Sequence, residues 1–116
     1  MENTEVVDTT SKYIVKSTGI GSETDEVLVN AETELTGGTN KSTVSLIECF
    51  YLIEGTGTLK ISTDSESDDL ELTGKGKYGL RPGQLKFGND KIFKLTTDSN
   101  ITSYLLVTEF RRETNG

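Results

Sequence analysis

The sequence predicts an all-β domain, an antiparallel β-sandwich of jelly-roll-like form with about eight or nine short strands. Three observations carry this. Apolar residues come in short runs rich in β-branched and aromatic side chains, which suit a pleated, half-buried surface. Turn residues punctuate those runs about every 8–12 positions. No segment keeps a helical apolar period over about ten residues, and no internal repeat is present.

Residues 1–11 are polar, carry no core pattern and are expected to form a flexible arm. Lys12–Lys16 reads as a first short strand, closed by Gly19-Ile20-Gly21, and Asp25–Asn30 as a second, ended by Gly37-Gly38-Thr39-Asn40. Leu46–Ile53 is the densest apolar run. It reads as a core strand, with Leu59–Ile61 folded back on it through a hairpin at Gly55-Thr56-Gly57. An acidic, Ser-rich connection, Ser62–Asp69, leads to a strand at Leu70–Thr73. Gly74–Leu80 runs into Arg81-Pro82-Gly83-Gln84, where Pro presets φ and Gly accepts a positive one, as a type II turn requires. Leu85–Phe87, Lys91–Thr96 and Thr102–Phe110 complete the set, and the charged C-terminus is expected to fray. The single domain is placed at residues 12–112, with a tail at 113–116.

The expected core is Val27, Val29, Leu46, Phe50, Leu52, Leu59, Ile61, Leu70, Leu72, Leu80, Leu85, Phe87, Phe93, Leu95, Leu105 and Val107. Val44–Ile53 and Tyr104–Phe110 are apolar on both faces in places, so their second face needs a cover. Self-association, with a trimer as the expected state, supplies that cover. The expected partner-binding residues are Glu5, Val6 and Val7 on the arm, Tyr51 and Ile53 on the apolar strand, and Arg111 and Arg112 beyond the last strand.

At 116 residues the chain is one domain, able to bury roughly two thirds of its unfolded surface. Nineteen acidic against twelve basic residues give a net charge of −7, a field that repels nucleic acid and anionic membranes. No apolar run approaches the roughly 20 residues a spanning helix needs. A single cysteine and an acidic, polar beginning point to a reducing cytoplasm.

The chain has no His, so Ser–His–Asp, Cys–His and His-containing zinc arrangements cannot form within it. Cys49 lies in an apolar strand, where a thiol is expected to be buried and inert. Asp64-Ser65-Glu66-Ser67-Asp68-Asp69 brings four carboxylates together, but Asp69 and Lys75 stand where a calcium loop needs Gly and a bidentate Glu. It reads as a solvated connection, with a weak cation site as the alternative. Gly74-Lys75-Gly76-Lys77-Tyr78-Gly79 matches G-x-G-x-x-G, yet Leu80-Arg81-Pro82-Gly83 breaks the helix a phosphate site requires. A bulge or hairpin loop is expected there. Asn40-Lys41-Ser42 and Asn100-Ile101-Thr102 match the glycosylation pattern by chance. No cofactor, metal or catalytic group is expected.

Tyr13–Ser17, Asp25–Asn30, Ser42–Tyr51, Gly74–Phe87 and Tyr104–Phe110, in that order, resemble small β-sandwich virion proteins of tailed bacteriophages, especially those of marine cyanobacteria. The resemblance implies a non-enzymatic structural protein of the virion, of the capsid decoration (cement) type that bridges capsomers. Its implied partners are the major capsid protein or other virion proteins, with a tail, neck or fibre component as the alternative. A second, weaker resemblance is to cupin barrels, through Phe50–Ile61 and Leu80-Arg81-Pro82-Gly83-Gln84. Metal-dependent cupins carry histidines in both motifs and this chain carries none, so the second resemblance implies a metal-free small-molecule-binding or structural barrel.

Overall fold

The computed structural model describes residues 1–9, 11–35, 37–39, 42–63, 70–79 and 90–114, with the side chains of 113 and 114 excepted. Nine strands lie among them: β1 (Glu2–Asp8), β2 (Lys12–Gly19), β3 (Glu26–Asn30), β4 (Ser42–Gly55), β5 (Leu59–Thr63), β6 (Leu70–Leu72), β7 (Lys75–Gly79), β8 (Ile92–Thr97) and β9 (Ile101–Thr114). All neighbours pair antiparallel, in a five-stranded sheet of order β1-β2-β9-β4-β7 and a four-stranded sheet of order β3-β8-β5-β6. From β2 to β9 the chain passes from one sheet to the other at every step except between β5 and β6, which pair in the same sheet; this is the winding of a jelly roll, and β1 extends one edge.

The two inner faces meet over a core that includes Val15, Leu28, Leu46, Leu59, Ile61, Leu95 and Leu106, each no more than 1% exposed. Phe93 of β8 and Phe110 of β9 lock the layers with an edge-to-face contact at 5.0 Å between ring centroids. Leu59, Ile61, Phe93 and Leu95 are buried as expected, and so are Val29, Leu46 and Leu72.

Several expectations are corrected. Residues 1–11 do not form an arm: Glu2–Asp8 pairs along β2, and Asp8 accepts a 3.0 Å ion pair from Arg112. Gly55-Thr56-Gly57 is not a hairpin. It carries the chain from one sheet to the other, since β4 lies between β9 and β7 while β5 lies between β8 and β6. Gly55, at φ 101°, packs so closely on the Asn100 carbonyl that no side chain fits. Gly74–Gly79 supplies a strand, β7, in place of a loop. The chain stays ordered past Arg111 because Ser42, Thr43 and Val44 pair with Thr114, Glu113 and Arg112.

Four core assignments fail through parity. In β4 a bulge between Leu46 and Glu48 inserts one residue. Before it Val44 and Leu46 face inward; after it Cys49 and Ile53 do, and Phe50 and Leu52 turn outward. In β9 the set Tyr104, Leu106 and Phe110 outweighs Leu105 and Val107 in apolar area and takes the core, leaving the latter pair half-buried outside. In β3 Leu28 joins Val29 in the core and Val27 is half-buried, as is Leu70 in β6. Leu80, Leu85 and Phe87, the Arg81–Gln84 turn and the acidic stretch Asp64–Asp69 lie outside the described residues.

Candidate functional site

The outer face of the five-stranded sheet is the candidate site, and strand pairing generates it. Register places Leu52 beside Leu105, and Phe50 beside Val107, as two adjoining rows on β4 and β9. Phe50 is 50% exposed and Leu52 43%. Ile14 of β2 is half-buried in the next row down, opposite Glu109. Phe50, Tyr51, Leu52, Leu105 and Val107, with Gly76 of β7, line a shallow depression of about 150 Å³.

Charged side chains frame this apolar centre. Lys75 and Lys77 of β7 pair with Leu52 and Phe50, and Lys16 of β2 with Val107. The Lys77 ammonium lies 4.9 Å from the Phe50 ring centroid and 3.2 Å from Glu48. Glu54 stands beyond Leu52 along β4, while Glu48 and Glu109 pair beyond Phe50 and Val107. The outer face of the four-stranded sheet is more polar: Lys60 and Ser62 on β5, Lys94 and Thr96 on β8 and Glu71 on β6 dominate it, with Val27 and Ile92 half-buried among them.

The expected partner-binding residues divide. Glu5 and Val6 are exposed on β1, Val6 at a bulge between Glu5 and Val7, and Val7 pairs beside Ile14 on the outer face. Tyr51 is half-buried and packs against the core. Ile53 is 5% exposed and belongs to the core, a correction that follows from the same bulge. Arg111 is exposed. Arg112 is corrected too: its side chain is 8% exposed and donates to Asp8 Oδ1 at 3.0 Å and to the Thr9 carbonyl at 2.7 Å. Sequence reasoning missed Phe50 and Leu52 as surface residues. The available signal was Glu48, a charge in an apolar strand, which marks the irregularity that reverses the alternation.

Reactive chemistry is sparse among the described residues. Cys49 is buried, as expected, and burial raises its thiol pKa to about 12. No three His, Cys, Asp or Glu side chains there converge on a metal position. The G-x-G-x-x-G match lies on β7 with Tyr51 opposite Gly76, so it presents no helix N-terminus to a phosphate.

No family model matches the chain. No curated protein matches it. Among solved structures it is similar to a cupin domain from Bordetella pertussis Tohama I, at 13% identity and a TM-score of 0.44, over 97% of this chain and 93% of that one. The strand order of the protein itself, rather than that likeness, makes its fold a jelly roll.

Proposed function

We propose that the protein is a non-enzymatic assembly module that works by self-association through the outer face of its five-stranded sheet. The observation that carries this is the cluster of exposed Phe50 and Leu52 with half-buried Leu105 and Val107, framed by charge, whereas the outer face of the four-stranded sheet is mostly polar. A contiguous apolar patch with a polar rim is the anatomy of a protein interface. The described interior is occupied by large side chains, among them Phe93, Phe110 and Leu28, and this favours a structural over a ligand-holding jelly roll. The setting we propose is the virion of a tailed phage, with decoration of the head shell as the role. That setting rests on the resemblance of the strand-and-turn blocks alone.

A metal-free, cupin-like module that binds a small molecule is the second reading. The observation that favours it is a cleft of about 330 Å³ lined by Ser11, Lys12, Ile47, Glu109, Phe110 and Arg111, within the size range of ligand sites.

Sedimentation of the purified protein over micromolar concentrations tests the first reading. The wild type is expected to exceed monomer mass, and Phe50→Asp to run as a monomer that still unfolds cooperatively, because the side chain is half exposed in the single chain; its melting temperature loses the concentration dependence that self-association confers. A wild type that stays monomeric, and melts higher in the presence of a small molecule, supports the second reading and contradicts the first.

A further inference from the structure

We infer that the face is closed by a second copy across a two-fold axis inclined at about 45° to the strands, so that the strands of the two sheets cross near a right angle. This rests on the self-association proposed above and adds its geometry. On a pleated face, strands lie about 4.8 Å apart and outward residues recur about every 7 Å along a strand. Leu105 and Leu52 form one row and Val107 and Phe50 the next. Across the strands this square is flanked by lysines, Lys16 on one side and Lys75 and Lys77 on the other. Along the strands it is flanked by acids, Glu54 at one end and Glu48 and Glu109 at the other.

Two identical faces pressed together by a two-fold axis meet as mirror projections of one another, residue i on j and j on i. An axis parallel to the strands lays Lys77 on the second copy's Lys16 and Glu48 on its Glu109. An axis perpendicular to them lays Lys75 on Lys77 and Glu54 on Glu48. Both set like charges together, which costs association free energy. An axis at about 45° to the strands, lying close to the line from Phe50 to Leu105, exchanges the two directions. It places Lys16 opposite Glu54, Lys75 opposite Glu109 and Lys77 opposite Glu48, with Leu52 on Val107 and with Phe50 and Leu105 each on its own counterpart. The result is the orthogonal form of sheet-on-sheet packing. Each copy carries −7 overall, so these local contacts also offset a long-range repulsion.

A charge-reversal pair tests the arrangement. Lys16 and Glu54 are both exposed and stand two strands and two rows apart, about 17 Å within one chain, beyond the range at which physiological salt leaves much interaction. Lys16→Glu and Glu54→Lys are each expected to weaken dimerisation at least about tenfold, since the contact occurs twice in the dimer. The double variant is expected to return within about threefold of the wild type, because the reversed charges meet again across the axis. Melting curves show that each variant is folded. An oligomer that Phe50→Asp dissolves but that the double variant fails to restore, or a particle of three copies, overturns the crossed arrangement and leaves self-association standing. A monomeric wild type overturns both and gives the face to a different protein.

Discussion

Cys49 shows how position governs the chemistry of a single residue. Its thiol sits on the inner face of β4 immediately after the bulge, and burial raises its pKa to about 12. Tyr13 is raised to about 12 by burial and then by the carboxylates of Glu34, Glu5 and Asp8. Tyr104 is raised further, by burial and then by Glu23, whose Oε1 accepts its O–H at 2.7 Å. In each case the folded state prefers the neutral form. The stability so contributed is complete below the unfolded pKa and is lost as pH rises through the folded one. Urea midpoints are therefore expected to hold steady at neutral pH and to fall between about pH 9 and about pH 12. A thiol reagent at about pH 8 should label Cys49 only after denaturation. Rapid labelling of the folded protein would contradict the placement of β4.

At the scale of the element, β1 is the strand that departs most from expectation. Its sequence is polar because one of its edges pairs with no strand among the described residues and its side chains lie mostly in water, and polar composition is also the mark of a flexible arm. What docks it lies far away in the chain: Asp8 and Arg112 pair with side chains 3% and 8% exposed. Removing one partner of so buried a pair strands the other charge. Asp8→Asn is expected to lower unfolding free energy by about 3–5 kcal/mol and to release β1 amides to hydrogen exchange. Glu71→Gln, which breaks the exposed 3.9 Å pair with Lys60, is expected to cost less than about 1 kcal/mol. Equal costs would show that β1 is not held by this contact. The strands themselves were legible, since alternation and turn residues marked β2, β3, β5, β8 and β9. Sheet membership was not, because Gly55-Thr56-Gly57 serves a hairpin or a crossover equally well and the choice depends on β9, whose start lies 46 residues beyond Gly55. The candidate site was legible as a need, in the excess of apolar residues on two strands. Its members were hidden by one inserted residue in β4.

For the whole molecule, the division of apolar surface matters more than its total. Only 32% of the chain is hydrophobic, yet part of that allotment lies on the outside of one sheet, at Phe50, Leu52, Leu105 and Val107, while the outside of the other is mostly polar, with Val27 and Ile92 half-buried on it. A soluble domain tolerates such a face when something covers it. The arrangement of lysines across the strands and glutamates along them suits a crossed copy of the same face. On the function proposed here the protein works by contact between surfaces, and its filled interior is the rigid support behind them.

Chemical cross-linking tests that claim most directly. Leu105→Cys places a thiol at the centre of the face, and Ile20→Cys places one at a 65% exposed position outside the apolar square. Packed sheets stand about 10 Å apart, so a bis-maleimide of about that span bridges facing positions. Covalent dimers are expected from Leu105→Cys and monomers from Ile20→Cys at the same concentration, with Cys49 unlabelled in both. Equal cross-linking at the two positions, or none at Leu105→Cys, would contradict the claim.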